Sequence, residues 1–421
     1  MSVDMKVCKI FLVLGISSSF IGCGSFTTNE LTPLIDFDVS TVQKERGITT
    51  VPRELSTQFS RELRFNRYTS VVAPNGKAIH IVAQDKLRDS QIIRARSVLE
   101  HYLTDFTASK YGRDKSTVAN KMADNGATLM LLNGSDDGSN PAAELDGQPL
   151  FQEEIQVEGG TWYMTQNYEH RDATFEEILH LVHDYGIGVD GYSQFIGALP
   201  NYQAEIRHAQ LEALKRDIWG MGSFSKDWID ELANENSLSQ EYLASVIDAY
   251  YGLWGAYPSQ PMRMMEENTG GYGMWGVYIA ANRDEVQQRD PIGYQLAEDF
   301  FQPYLTYDAH LDPSLSGVFS LQYDENKLYT NQSRYLKDVT VTGNNEVDIV
   351  VNALDNNITG NSQLNRVIFS GFKSDYLIGL EGEIVRVTDK VAKRDGINQL
   401  ENIEILQFKD EDILVSELTR Q

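Results

Sequence analysis

The sequence predicts an α+β fold: strands first, then a mainly helical half, then a small all-β C-terminal region. Three observations carry this. Apolar and polar residues alternate on either side of Asn75-Gly76, the pattern of a hairpin. Apolar residues recur at helical spacing across 90–106, 174–186, 201–212 and 239–254. Beyond about residue 336, short alternating runs are separated by Gly, Asn and Asp.

The elements follow in order. Residues 67–72 and 78–83 are the hairpin strands. Residues 90–106 form an amphipathic helix with Ile93, Val98, Leu99, Tyr102 and Phe106 near one stripe. Residues 128–132 (T-L-M-L-L) read as a buried strand, and the polar run 133–147 as a loop. Residues 151–157 and 161–165 read as further strands. Helices are expected at 228–236 and 239–254, the second opened by Ser237 with Gln240 as a capping box. Its aromatics, Tyr242, Tyr250, Tyr251 and Trp254, are expected in the core. The glycine-aromatic stretch 270–276 lines a cleft or makes a tight packing corner.

Composition narrows the function. The formal charge is −25, with no cluster of Lys and Arg, which argues against nucleic-acid binding. There are two cysteines, Cys8 and Cys23. Residues 1–22 have the form of a secretion signal: Lys6 and Lys9 precede a short apolar core, too short to remain as a membrane span. The run F-I-G-C at 20–23 resembles a bacterial lipobox. That resemblance implies cleavage before Cys23, acylation of Cys23, and, with Gly24 next, a place at the outer membrane or cell surface. No thiol or disulfide chemistry would then remain in the mature chain. Residues 23–50 read as a tether, 51–335 as a globular α+β domain, and 336–421 as the β region.

The segment T-F-E-E-I-L-H-L-V-H-D-Y-G at 174–186 holds two of the seven histidines. On a helix, Glu176, His180 and His183 share one face, and a carboxylate and an imidazole at i, i+4 offer two ligands to one metal ion. His170 lies just upstream. The bland alternative is a capping box between Thr174 and Glu177, with Glu176 favoured by the helix dipole and the histidines as bonded polar residues. A second helix at 201–212, entered after Pro200 and capped by Asn201, carries Glu205, with His208 and Glu212 on nearby faces.

These residues resemble the zincin metallopeptidases, whose motif is H-E-x-x-H, with Glu176 where the first histidine would stand. A-E-x-x-x-A at 204–209 is faintly similar to the anthrax lethal factor-like branch. The resemblance implies zinc at Glu176 and His180, Glu205 or His183 completing the shell, and Glu177 as the catalytic proton acceptor on a peptide or protein substrate. From about residue 336, V-I-F-S-G (367–371), S-D-Y (374–376), V-T-D (387–389), R-D-G (394–396) and L-E-N-I-E-I-L-Q-F (400–408) resemble the β region that follows calcium-binding repeats in hemolysin-type and serralysin-type proteins. The repeat G-G-x-G-x-D-x-U-x is absent, so calcium is not expected. Two function classes stay open: a surface-anchored zinc peptidase, and a non-catalytic surface lipoprotein that keeps the scaffold for adhesion or binding.

Overall fold

The computed structural model describes residues 39–167, 170–190, 195–221, 225–256 and 276–418. The signal-like segment with Cys23, residues 24–38 and residues 270–275 lie outside these. Residues 39–50, within the stretch read as a tether, are packed. α1 (Thr41–Glu45) is closed by a capping box between Ser40 and Gln43. Val39 and Ile48 are buried, and Thr49 bridges to Tyr68.

The fold is mixed α/β. β1 (Phe65–Val72) and β2 (Ala78–Gln84) pair antiparallel around the Asn75-Gly76 turn, where Gly76 takes φ +80°. α2 (Asp89–Leu103) and α3 (Ser116–Asp124) then cross over to β3 (Thr128–Leu132), which runs parallel to β2. β4 (Gln148–Phe151) runs parallel to β3. Strand alternation splits this sheet between two cores. Ile79, Ile81, Leu129 and Leu131 face the main core, while Val82, Met130, Leu132 and Phe151 face a small cluster with Phe59 and Phe65.

The two strands expected over 151–165 do not form. A 3-10 turn follows β4 at Gln152–Glu154, and α4 (Thr161–Met164) is a short helix entered through Gly159 at φ +79°. Side-chain anchoring overrides β propensity here. Trp162 donates its indole N–H to the His170 carbonyl at 2.6 Å, and Tyr163 donates its hydroxyl to Asp172 at 2.5 Å.

α5 (Thr174–Val182) follows and passes into a single π turn, His183–Ile187. Next come α6 (Pro200–Lys215), α7 (Ser225–Glu235), α8 (Leu238–Tyr250), α9 (Leu253–Ala256), α10 (Arg283–Arg289) and α11 (Pro291–Phe300). Pro200 is the first residue of α6, after Leu199, so Asn201 lies inside the helix rather than at its cap. Ser237 precedes α8 but makes no side-chain cap bond, and the Gln240 amide donates to Asp184 instead. α8 packs on α5, and its aromatics Tyr242, Tyr250 and Tyr251 are fully buried.

From Leu305 the chain alternates between two sheets. β5 (Leu305–His310) lies in the first and β6 (Gly317–Ser320) in the second. The helical turn α12 (Thr330–Ser333) leads to β7 (Leu336–Thr340) in the first, β8 (Val347–Val350) in the second, β9 (Asn356–Thr359) in the first and β10 (Asn365–Ile368) in the second. A hairpin, β11 (Tyr376–Glu381) and β12 (Ile384–Asp389), extends the first sheet. β13 (Ile397–Glu401) returns to the first, and β14 (Ile405–Gln407) and β15 (Asp412–Leu414) close the second. β5, β7, β9 and β13 are parallel neighbours, as are β6, β8, β10 and β14. Each pair of strands is therefore one coil of a parallel stack. Pairing runs across residue 336, because β5 and β6 precede it.

Asparagines bind successive coils together. Asn345 donates its amide to the carbonyls of Pro313, Ser314 and Leu315. Asn361 donates to Gly343 and Asn345, Asn352 to Arg334 and Leu336, and Asn356 to Lys337.

Candidate metal centre

Every residue of α5 is buried. A helix that deep in the core carries polar groups only if each has a partner. Its start does not use the expected capping box. Thr174 is already helical, with Ala173 before it, and the Thr174 N–H donates to Asp172 Oδ1 at 3.1 Å. Glu177 is thereby freed to point elsewhere.

Arg171, in the loop before α5, gathers three carboxylates. Its Nε lies 3.1 Å from Glu154, Nη1 2.6 Å from Glu176 and Nη2 3.1 Å from Glu177. Burial opposes the guanidinium charge, but Glu176, Glu154 and Glu177 outweigh it and hold Arg171 firmly cationic. Glu154 is pushed by burial up to about 7 despite Arg171.

His180 stands on the same face of α5 as Glu176, as i, i+4 spacing requires. Its Nε2 lies 3.7 Å from Glu241 Oε1, and its Nδ1 lies 3.6 Å from Glu177 Oε2. The buried Nε2 has no hydrogen-bond partner among the described residues. Glu241 sits in the first turn of α8. One ligand atom each from Glu176, His180 and Glu241 falls within 4.8 Å of the others. Such a group matches the donor set of zinc, imidazole nitrogen with carboxylate oxygens.

Electrostatics at the site favour a cation. Among the described residues, the only cationic groups paired with Glu154, Glu176, Glu177 and Glu241 are Arg171 and His180. Burial disfavours a charged His180, yet Glu241, Glu177 and Glu176 overcome it and raise its pKa to about 10. Burial also pushes Glu241 upward; His180 opposes this, while Glu176 and Glu177 add to it. Asp248, one helical face along α8, is raised well above the usual carboxylate range by burial and by Glu176.

Glu177 has both oxygens engaged. Oε2 accepts from Gln148 Nε2 at 2.7 Å and lies beside His180 Nδ1, while Oε1 meets Arg171. It therefore approaches the imidazole from the edge opposite Nε2.

Other residues singled out by sequence lie elsewhere. His183 donates from Nε2 to Gln203 Oε1 at 2.6 Å, and Gln203 in turn donates to Ser239 Oγ at 3.1 Å. Burial keeps His183 neutral, with its pKa lowered to about 4. Glu205 is half exposed on α6, bound by Lys110 Nζ at 2.7 Å and Tyr111 Oη at 2.8 Å. His208 is exposed, and His170 pairs with Glu153 at 3.1 Å. The third member of the group is thus Glu241 on α8, in place of Glu205 or His183. A sequence signal for it exists: Glu241 and Asp248, the two charged residues of α8, are seven residues apart and so share a face. Comparison with protein-family models, with curated proteins and with solved structures returns no match.

Proposed function

We propose that the protein is a zinc-dependent hydrolase of the zincin type, acting on peptide or protein substrates, with Glu176, His180 and Glu241 as the metal ligands. The buried, unbonded Nε2 of His180, facing Glu176 and Glu241, is the observation that carries this reading. Zinc held there would supply a Lewis acid for the scissile carbonyl and lower the pKa of an attacking water. Arg171 positions Glu176 from behind, leaving the second oxygen of that carboxylate for the metal. Glu177, held by Gln148, fixes the His180 ring through Nδ1 and so presents Nε2 outward. The motif alone makes Glu177 the proton acceptor, but its contacts support an orienting role. Glu154, with its carboxyl raised to about 7, is a second group able to exchange a proton near neutrality.

The engagement of both Glu177 oxygens also favours the second reading, a non-catalytic surface lipoprotein that keeps the scaffold for adhesion or binding. Metal analysis and peptide hydrolysis, measured together, separate the two. Wild type should hold one zinc per chain, His180→Ala should lose it, and Glu241→Gln should weaken it at least about tenfold. Zinc without cleavage of a peptide library would select the binding protein. No zinc at all would sink the hydrolase. Localisation belongs to the same proposal: acylated Cys23 at the outer membrane or cell surface, so Cys23→Ser should release the protein from the membrane fraction. The coil stack after Leu305 supports the likeness to repeat-associated regions of hemolysin-type proteins, with calcium not required.

A further inference from the structure

The chain has 36 basic residues against 61 acidic ones, so carboxylate partners are plentiful, and what surrounds a cation that lacks one is worth following. Arg64, Arg67, Arg88, Arg94 and Arg394 are all ion-paired. Among the described residues no carboxylate pairs with Arg334, and its buried Nε has no hydrogen-bond partner. Its guanidinium instead lies over two rings, 4.8 Å from the centroid of Tyr323 and 4.9 Å from that of Tyr335. Tyr335 also carries Arg283 at 3.8 Å, and Arg283 lies 3.8 Å over Tyr250. Rings and guanidiniums thus alternate outward from the core: Tyr250, Arg283, Tyr335, Arg334, Tyr323. The last ring is 50% exposed.

Beside that ring opens a cleft of about 370 Å³, lined by Tyr323, Arg334, Ala353, Leu354 and Lys393 among others. Lys393 is exposed, has no ion pair among the described residues, and takes φ +62°. Its neighbour Arg394 is held by Asp389 at 2.6 Å and Asp375 at 3.0 Å, which pins the turn and uses up that charge. Two cations without an ion pair among the described residues, one stacked between rings and one exposed, therefore border one small cavity. Stacking occupies the faces of a guanidinium and leaves its N–H edge for a planar anion, which a carboxylate meets with two parallel bonds. Tyr323, Ala353 and Leu354 give the cavity an apolar wall, suited to the flat face of an organic ring. The negative field of the whole chain repels free anions, so binding here depends on these local groups.

We propose that this cleft binds a small carboxylated ring, in chemical class a sugar acid, with its carboxylate at Arg334 and Lys393 and its ring against Tyr323. The site is separate from the acid–histidine group on α5 and does not depend on metal there. Calorimetry on the full chain, with glucuronate, glucose and inorganic phosphate as probes, tests it. Glucuronate should bind, with glucose and phosphate each about tenfold weaker or more, since loss of one ion pair or of the ring contact is worth about 1.4 kcal/mol. Lys393→Asn keeps a residue that tolerates positive φ and should weaken glucuronate about tenfold. Arg334→Gln should weaken it further, and Tyr323→Ala should erase its advantage over phosphate. If Arg334→Gln fails to fold, Lys393→Asn alone decides. No glucuronate binding at about 50 mM, unchanged affinity in Lys393→Asn, or phosphate binding equal to glucuronate would each overturn the proposal.

Discussion

Among the described residues Arg171 is the only guanidinium contacting the acids of α5, and its removal is the most informative single change. Three carboxylates would lose their common partner inside the core. Breaking a buried ion pair by deleting one member costs about 3–5 kcal/mol, because the other charges stay buried. Arg171→Met should therefore lower stability by about that amount in metal-free buffer, read by denaturant unfolding. Added zinc should restore part of the loss, since a dication held by Glu176, His180 and Glu241 would neutralise Glu176, one of the three acids that lost Arg171. A loss that zinc leaves untouched would count against the metal centre while leaving the structural role of Arg171 intact. At this scale the sequence was half legible. Glu176 and His180 are one helical turn apart, so local geometry alone unites them. Glu241 reaches them only because α8 packs on α5, and no local pattern encodes that contact. Glu205 looked equivalent on paper, but the rotation of α6 turns it toward Lys110 and Tyr111.

Among the elements, the β coils show how one class of turn is held in two ways. In calcium-binding repeats, turn carbonyls and aspartates hold the ion, which takes six to eight oxygen ligands. Here the turn carbonyls of Pro313, Ser314, Leu315, Gly343 and Asn345 already accept amide N–H groups from Asn345 and Asn361. The side-chain oxygen Oδ1 of Asn361 is also taken, by the Gln363 N–H at 2.8 Å. An ion would have to displace these bonds. Millimolar calcium should accordingly change stability by about 0.4 kcal/mol or less, the linkage limit for a site half filled at that concentration. Asn361→Ala should cost about 1–3 kcal/mol by leaving carbonyls and an N–H without partners. A marked rise of the melting temperature with calcium would refute this account of the turns. Elements with their own local signal, such as the Asn75-Gly76 hairpin and the Asp89–Leu103 helix, were readable in the sequence. Residues 161–165 were not, because T-W-Y-M suits a strand by propensity and becomes helical only through the anchors of Trp162 and Tyr163.

Across the whole molecule, the coils and the helical half share one buried core. A single apolar cluster runs from Ile48 to Phe408. α2 packs on β5, and buried polar bonds cross the same junction. Tyr307 donates to Glu158 at 2.5 Å, Gln332 donates to Glu158 at 3.2 Å, and Arg94 pairs with both Glu158 and Asp172. The sequence suggested a boundary at 335/336 because the short alternating runs with Gly, Asn and Asp turns were read from there; long-range pairing of β5 with β7 and of β6 with β8 is not visible in such local patterns. This arrangement has a measurable consequence. All five tryptophans lie between residues 162 and 275, so their fluorescence reports only the helical half. If the shared core makes unfolding cooperative, a change placed solely in the coils must still move that signal. Asn361→Ala should lower the tryptophan-detected midpoint by as much as the midpoint seen in far-ultraviolet circular dichroism. A tryptophan transition that stays at its wild-type midpoint, while the dichroism transition shifts or splits, would instead mean that the coils unfold as a unit of their own and that the bonds through Glu158 do not couple the two halves.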